Sequence, residues 1–246
     1  RIYLIKSKLV TGLLNLSKER ILEILKSLNT RIDQTMLKYD KGLKDYIDFA
    51  EKSDKFSFRS IVVPSVLVKE IASIVKTPVA GVVGFPHGYH PVEAKIREIE
   101  HVGRSGGKEV DVVIDLIQIK SGNYVGVNNE VEKLVKSARE IGLGIKVIVE
   151  TSILSDDELA KICKILLVHK PDFIKTNTGF GPRGVSVRDV MLIKRIVGDE
   201  LKIKASGGVR NSIEALNLVL FGADVIGTSA GIEIIKDRDE ILASLQ

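Results

Sequence analysis

The sequence predicts an α/β protein that folds as one (β/α)8 TIM barrel, with a helical extension over residues 1–30. Short segments rich in Val and Ile alternate with amphipathic helical segments, and a polar or glycine turn follows each predicted strand. This alternation occurs eight times, as in a closed parallel barrel. The length of 246 residues suits one such barrel and no linker divides it, so we expect residues 1–246 to form a single domain.

The N-terminal region is expected to be helical because its leucines and isoleucines recur at spacings of three and four. The strands are predicted near 31–34, 57–63, 78–85, 109–116, 145–150, 172–176, 201–205 and 224–228. Helices are predicted near 41–53, 65–76, 91–105, 128–141, 155–169, 186–197, 211–221 and 231–245. Ser155 with Glu158 forms a capping-box pattern. Ser186 and Asn211 are the expected N-caps of the two helices that follow.

Composition and charge exclude several classes of protein. The net charge of +5 favours anionic ligands, but lysines are interleaved with acids and there is no tryptophan, so we expect no nucleic-acid partner. No apolar run approaches the ~20 residues of a membrane span, and the region from Arg1 has no secretion-signal pattern. The single cysteine, Cys163, excludes an intramolecular disulfide framework and a cysteine-rich zinc site. We therefore expect a cytoplasmic protein with no membrane partner.

Two lysines near the ends of consecutive strands are the main candidates for chemistry. Lys175 lies in DFIKTNTG and Lys204 lies in LKIKASGG, and a glycine turn follows each of them. A buried ammonium is unfavourable, and two neighbouring lysines oppose each other's charge, which lowers the pKa of one amine and makes it nucleophilic. Lys202 shares the face of Lys204, so either Lys202 lies at a solvated lower end or the strand begins later. The leading hypothesis is a lysine that forms an imine beside a phosphate site.

Carboxylates at other strand ends are candidates for proton transfer. Asp111 and Asp115 share one face of the fourth predicted strand, so one of them could act as an acid or base near the lysines, or serve as an ion-pair partner. Asp33 ends the first predicted strand, where it could reach the active-site mouth or serve as an N-cap or ion pair. Glu150 ends the fifth strand and is expected to anchor Lys146 or a neighbouring lysine across the barrel.

Glycine turns at three adjacent strand ends predict a phosphate site, because glycine lets backbone N–H groups approach an anion closely. The substrate-binding candidates are Thr178 and Gly179 after the sixth strand, Gly207, Gly208 and Arg210 after the seventh, and Gly227 and Ser229 after the eighth. Barrels of this class often bind phosphate with the loops after strands seven and eight. His87 and His90 follow the third strand without a surrounding ligand pattern, so we expect loop histidines and no bound metal.

Seven stretches of the sequence resemble the deoxyribose-phosphate aldolases, a family of class I aldolases. Between about Ile32 and Gly231 they are, in the family's order, IDQTMLK, VVGFPHG, EVDVVIDLIQIKSG, KVIVETSIL, DFIKTNTGFG, IKASGGVR and IGTSAG. The resemblance implies a (β/α)8 barrel that cleaves 2-deoxyribose 5-phosphate to acetaldehyde and glyceraldehyde 3-phosphate. It implies no metal or other cofactor, and assembly into homodimers or homotetramers.

Within those stretches the resemblance implies a role for each matching residue. Lys175 matches the lysine that forms the Schiff base, and Lys204 matches the second lysine that perturbs it. Asp111 matches the acid of the proton relay, and Asp33 matches an aspartate that helps to bind the substrate hydroxyls. The positions that match the family's phosphate site are Gly207, Gly208 and Ser229.

The chain departs from the family pattern at a few positions. Gln34 stands where many members have histidine, and Ser60 and Ile61 stand where many have a cysteine on the second strand. Ala230 replaces a serine that often follows the residue matching Ser229, so one phosphate hydrogen bond is expected to be lost.

Three other functions stay open from the sequence alone. A related class I aldolase with another acceptor aldehyde would keep the same lysines, since the loops set the substrate. An inactive barrel that only binds a phosphosugar would be expected to lack the lysine pair or Asp111, and all three are present. A metal-dependent aldolase or isomerase is disfavoured by the placement of the histidines.

Overall fold

The computed structural model describes residues 18–244, which contain a closed barrel of eight parallel strands in chain order. The strands are β1 (Ile32–Thr35), β2 (Ser60–Pro64), β3 (Val79–Val83), β4 (Glu109–Val113), β5 (Gly144–Ile148), β6 (Phe173–Lys175), β7 (Lys202–Ser206) and β8 (Val225–Thr228). The barrel closes where Asp33 of β1 lies beside Gly227 of β8. The predicted (β/α)8 fold is confirmed, and each strand overlaps a predicted one.

Helices surround this barrel and connect its strands. They are α1 (Lys18–Lys26), α2 (Leu43–Ser53), α3 (Val68–Ala72), α4 (Val92–Arg104), α5 (Leu116–Lys120), α6 (Tyr124–Glu140), α7 (Asp156–His169), α8 (Val187–Val197), α9 (Ser212–Leu220) and α10 (Gly231–Ser244). Short 3₁₀ turns lie at Leu28–Arg31, Asp54–Phe56, Ser65–Leu67 and Thr151–Ile153. Within residues 18–244, none of the helices combines the length and the apolar character that a membrane crossing requires.

Several predicted helix starts are confirmed by their hydrogen bonds. The hydroxyl of Ser155 accepts from the backbone N–H of Glu158, and the side chains of Ser186 and Asn211 cap α8 and α9 in the same way. Of the helical extension predicted over residues 1–30, α1 and the turn at Leu28–Arg31 bear out the described part. The rest of that prediction, residues 1–17, lies outside the described residues, as do residues 245–246.

The segment after β4 differs from the prediction. The strand ends at Val113 instead of near residue 116, and the unpredicted helix α5 follows. Asp115 is not a strand residue facing the lysines, because its carboxylate caps α5 and accepts from the N–H groups of Ile117 and Gln118 at 2.9 and 3.2 Å. An aspartate that can satisfy free helix N–H groups ends a strand in favour of a cap.

The alternation of side chains along each strand separates two environments. Outward-facing residues such as Val112, Val147 and Ile203 are fully buried against the helices and form the main core. Inside the barrel, β2 and β3 contribute a small apolar cluster of Val62, Ala80 and Val82. Buried charged side chains come instead from five other strands, namely Asp33 of β1, Asp111 of β4, Lys146 of β5, Lys175 of β6 and Lys204 of β7. The interior therefore has one apolar side and one charged side.

Candidate active site

The two predicted lysines and Asp111 meet inside the barrel. Lys175 and Lys204 are paired in the register of β6 and β7, so their side chains lie next to each other. Both amines donate to the same oxygen of Asp111, Oδ2, at 2.8 Å from Lys175 and 2.7 Å from Lys204. Asp111 and Lys204 are fully buried, and Lys175 is 2% exposed. The structure thus brings together the three residues that the sequence predicted to be catalytic.

The surroundings of Lys175 favour its neutral form. Burial lowers the pKa of Lys175 to about 8, the carboxylate of Asp111 opposes this change, and the positive charge of Lys204 adds to it. The sequence suggested repulsion between the lysines as the cause, whereas in the structure removal from water comes first. Since an amine must lose its proton before it attacks a carbonyl, Lys175 is suited to act as a nucleophile near neutral pH.

Asp111 stays ionised despite complete burial. Burial alone would raise its pKa, but the charges of Lys146, Lys175 and Lys204 hold the pKa well below its usual range. Because Asp111 keeps its negative charge, it can accept a proton from a substrate hydroxyl that lies beside Lys175.

Lys204 occupies the middle of β7, where its position depends on a glycine of the next strand. A Cβ atom at Gly227 would lie 2.8 Å from Cε of Lys204 and 2.8 Å from Cβ of Ser206. Gly227 therefore makes room for Lys204, a role that the sequence did not suggest. Lys202, which shares the face of Lys204, is exposed at the start of β7, so the solvated lower end proposed from the sequence is confirmed.

Asp33 lies deeper than the sequence suggested. Its side chain is fully buried, with Oδ2 at 2.6 Å from the amine of Lys204 and Oδ1 accepting from Arg59 at 2.9 Å. It lies beside Lys204 and does not line the cavity described next. A part in binding substrate hydroxyls stays a prediction, while the ion pair that the sequence also allowed is present.

A cavity of about 750 Å³ opens above Lys175 at the carboxyl ends of the strands. The predicted substrate-binding residues that line it are Thr178, Gly179, Gly207, Gly208, Arg210, Gly227 and Ser229. Gly207 and Gly208 have φ angles of 102° and 80°, a left-handed backbone that glycine adopts without strain. The glycine turns therefore surround one space that contains the nucleophile.

The wall of the cavity also includes residues that the sequence reasoning missed. Further lining residues include Thr35 at the end of β1, Met36 and Leu37 after it, Lys38, Lys41 and Lys52 around α2, and Arg183 after β6. The sequence reasoning gave none of them a part in the site, because local patterns do not show the paths of the loops after β1 and β6 that bring them to the cavity. Arg183 is anchored by two hydrogen bonds to Asp189, at 2.6 and 3.0 Å, and by one to the carbonyl of Thr151.

Glu150 anchors a turn and not a lysine, so the sequence-based expectation for it is wrong. Its Oε2 accepts from the backbone N–H and the hydroxyl of Thr178, at 3.0 and 2.5 Å, and its Oε1 accepts from Ser152. Lys146 binds Asp111 and Glu109 instead, at 3.0 and 2.6 Å. The signal that singled out Lys175, a lysine within an apolar strand, was present for Lys146 as well.

The histidines after β3 lie in an exposed loop. His87 and His90 are exposed and stack on either side of Tyr89, with ring centroids 5.4 and 5.7 Å apart. Within the part of the chain that the structure describes, no group of three His, Cys, Asp or Glu side chains is arranged to hold a metal ion.

Comparisons with known proteins identify the relatives of this chain, although no family model matches it. The deoxyribose-phosphate aldolase of Thermococcus kodakarensis is 37% identical over 210 residues, which cover 83% of this chain and 94% of that protein. The deoxyribose-phosphate aldolase of Caldanaerobacter subterraneus is 36% identical over 219 residues, covering 87% of this chain and 95% of its own.

Solved structures give the same result. An aldolase named QR15 superposes with a TM-score of 0.84 at 35% identity, covering 89% of this chain and 98% of its own. The deoxyribose phosphate aldolase of Aeropyrum pernix, described as a unique tetramer, superposes with a TM-score of 0.83 at 29% identity, covering 92% of this chain and 99% of its own. With relatives this similar over most of its length, and with the lysine pair and Asp111 in place, the chain belongs to the deoxyribose-phosphate aldolase family.

Proposed function

We propose that the protein is a class I aldolase that cleaves 2-deoxy-D-ribose 5-phosphate reversibly to acetaldehyde and D-glyceraldehyde 3-phosphate. The observation that carries this proposal is the position of Lys175, whose pKa is lowered to about 8 and whose amine lies 2.8 Å from the ionised Asp111. A nucleophilic amine and a base in contact at the floor of a cavity are what imine-based carbon–carbon cleavage requires. Family membership supports the same reaction.

In the proposed reaction, Lys175 forms the covalent intermediate. Its neutral amine attacks the C1 aldehyde of the open-chain sugar, and loss of water gives an iminium ion. Asp111 then takes the proton of the C3 hydroxyl, directly or through a water molecule, while the C2–C3 bond breaks. The bonding electrons pass into the iminium and glyceraldehyde 3-phosphate leaves, so that an enamine of acetaldehyde remains on Lys175. Protonation at C2 and hydrolysis release acetaldehyde and free the amine.

Lys204 is proposed to assist the reaction in two ways. Its amine shares Oδ2 of Asp111 with Lys175, so it stabilises the carboxylate in the orientation that faces the nucleophile. Its positive charge also disfavours a proton on Lys175. Asp33, 2.6 Å from the amine of Lys204, is proposed to hold this amine in place, and any contribution of Asp33 to hydroxyl binding would act through Lys204.

The phosphate group is proposed to bind at the glycine turns. Gly179, Gly207 and Gly208 line the cavity together with Ser229 and the cationic Arg210. Backbone N–H groups in such turns and a nearby guanidinium form a favourable environment for a phosphate dianion. Ala230 cannot supply a hydroxyl at the position after Ser229, so this site has one donor fewer than a serine would give.

The oligomeric state of the enzyme is proposed from its family. We propose a homodimer or homotetramer, since the Aeropyrum pernix relative is described as a tetramer. We further propose a single-domain cytoplasmic enzyme that uses no cofactor, because Lys175 itself supplies the covalent chemistry.

The direct test is the retro-aldol reaction with 2-deoxyribose 5-phosphate, followed by separate detection of acetaldehyde and glyceraldehyde 3-phosphate. Asp111→Asn should lower kcat/KM by about 10²- to 10⁴-fold, the usual range for a general acid or base. Asp157→Asn makes the same change at an exposed residue and should leave the rate unchanged. If the wild-type protein binds the sugar phosphate without cleaving it, a phosphosugar-binding barrel becomes the better account. Loss of activity with a chelator would point to a metal-dependent enzyme.

A further inference from the structure

Six charged side chains inside the barrel form a closed ring of ion pairs below Lys175. Positive and negative groups alternate around it, and we call it the charge ring. In order, its members are Lys204, Asp111, Lys146, Glu109, Arg59 and Asp33, the last of which returns to Lys204. The sequence-based hypotheses did not give Arg59, Glu109 or Lys146 any part in the chemistry.

Asp111 divides its two oxygens between the nucleophile and the charge ring. Oδ2 accepts from Lys204 at 2.7 Å and from Lys175 at 2.8 Å, while Oδ1 accepts from Lys146 at 3.0 Å. Lys146 is fully buried and also donates to Oε2 of Glu109 at 2.6 Å. Lys146 therefore determines which oxygen of Asp111 is left for the lysine pair.

The lower half of the charge ring is nearer to solvent. Arg59, whose side chain is 23% exposed, binds both oxygens of Glu109 and donates to Oδ1 of Asp33 at 2.9 Å. Oδ2 of Asp33 lies 2.6 Å from the amine of Lys204, which closes the charge ring. Each member thus contacts at least two partners of opposite charge, and a longer contact of 3.7 Å joins Lys146 to Asp33 across the ring.

The members of the charge ring are ionised, so their charges cancel. Burial alone would raise the pKa of each carboxyl, yet the neighbouring cations hold the pKa values of Asp33, Asp111 and Glu109 below their usual range. Burial would lower the pKa values of Lys146 and Arg59, and the neighbouring carboxylates raise both instead. With Lys204 between two carboxylates, three positive and three negative groups are present.

A protonated Lys175 would be an additional cation beside the charge ring, whose net charge is already zero. Its closest ion-pair contact is the Oδ2 atom that Lys204 also uses. A proton on Lys175 would add a fourth positive charge, and the charge ring has no fourth carboxylate to balance it. An unbalanced charge in a buried site is unfavourable.

We propose that the charge ring keeps Lys175 in its neutral, nucleophilic form through its own net charge of zero. Lys146, Glu109 and Arg59 then act as positioning residues that govern the nucleophile without touching the substrate. The proposal rests on the proposed function in that it takes Lys175 as the nucleophile.

Other charged groups near Lys175 lie on several elements and are kept constant in the test. Inside the barrel these are the members of the charge ring on β1, β4, β5 and β7, and Arg59 just before β2. Around the cavity they are Lys38, Lys41, Asp45, Asp48, Lys52, Arg183 and Arg210. Glu150, which binds Thr178, lies behind the turn after β6.

Variants that remove one charge from the ring test the proposal because they predict shifts of opposite sign. Lys146→Met leaves a net negative charge, so the pH at which the rising limb of kcat/KM has its midpoint should increase by about one to two units. Glu109→Gln leaves a net positive charge, so the midpoint should decrease. The expected decrease is smaller than the shift for Lys146→Met, about half a unit or more, because Glu109 is farther from Lys175. The double variant should return close to the wild-type midpoint, and Lys136→Met, at an exposed lysine, should leave it unchanged.

A second readout separates this proposal from the aldolase assignment. Trace acetylation of Lys175 with acetic anhydride, mapped by peptide mass spectrometry across the pH range, follows the neutral amine without any turnover. If the wild type shows no aldolase activity, the proposed function fails while the acetylation midpoints still test the charge ring. Shifts of the same sign in both single variants, or no shift in either folded variant, would overturn it. Should Lys146→Met fail to fold, Arg59→Gln removes a cation from the ring and takes its place, with the same predicted sign.

Discussion

A lysine side chain that is buried inside a barrel needs carboxylate partners to offset its positive charge, and the three buried on the strands of this barrel have such partners to different degrees. Lys146 and Lys204 each contact two carboxylates within 3.0 Å, whereas Lys175 has one carboxylate oxygen that it shares with Lys204. The amine with the poorest ion pairing is therefore the one whose pKa is lowered by burial. At the scale of the residue, nucleophilicity results from an unequal division of counter-charge among chemically identical side chains.

The pH dependence of the reaction should report on Lys175 directly. Because the amine attacks only when neutral and its pKa is lowered to about 8, kcat/KM should rise with pH and level off above about 8. Rates of 2-deoxyribose 5-phosphate cleavage between about pH 6 and 10 measure this midpoint. A midpoint near the ordinary lysine value of ~10.4 would show that the site does not perturb the amine.

At the scale of the element, the close approach of β7 and β8 depends on Gly227, which has no side chain. Gly227→Ala would place a methyl group 2.8 Å from Cε of Lys204, so we expect Lys204 to be displaced from Asp111. The expected result is a fall in kcat/KM of at least about tenfold, together with a loss of stability of about 1–3 kcal/mol from overpacking. Steady-state kinetics and urea unfolding measure the two effects.

Gly42→Ala is a suitable control for this substitution. Gly42 has an extended backbone with φ of −88°, and the nearest atom to an added Cβ is an oxygen of Asp45 at 3.9 Å. Its kinetics should match those of the wild type. Equal loss of activity in both variants would contradict a specific role for the space at Gly227.

A buried ion pair outside the barrel supports β4, the strand that carries Asp111. Lys95 of α4 is fully buried and donates to Glu130 of α6 at 2.5 Å and to the carbonyl of Val113, at the end of β4, at 2.8 Å. Lys95→Met would leave Glu130 buried without its partner, so we expect destabilisation of about 3–5 kcal/mol in urea unfolding.

Lys136→Met removes an exposed lysine whose distance to Glu140 is 3.9 Å, and it should change stability by less than about 1 kcal/mol. A similar effect of both lysine substitutions would show that the buried pair does not hold these elements together.

At the scale of the whole molecule, the order of elements was predictable while many details of the interior were not. Strands and helices follow from the periodicity of apolar residues, and the catalytic lysines follow from polar residues at strand ends. The charge ring was not predictable, because Arg59 and Glu109 look like ordinary surface residues at the beginning of strands. The helix α5 was missed because DVVIDL continues the pattern of a strand until Asp115 caps the helix.

The depth of Asp33 illustrates the same limit. Its position at the first strand suggested the active-site mouth, but the register of β1 with β8 places it beside Gly227, and its buried carboxylate contacts Lys204. Register between distant strands depends on packing around the whole barrel, which a single sequence does not reveal. The cavity wall formed by the loop after β1 was missed for the same reason.

The most direct test of the central claim is to trap the imine on Lys175. The protein would be incubated with 2-deoxyribose 5-phosphate or acetaldehyde, reduced with borohydride, and mapped by peptide mass spectrometry. We predict a reduced adduct on the peptide that carries Lys175, and its absence in Lys175→Ala. A folded wild-type protein that gives no adduct, or an adduct on Lys204 instead, would contradict the assignment of Lys175 as the nucleophile.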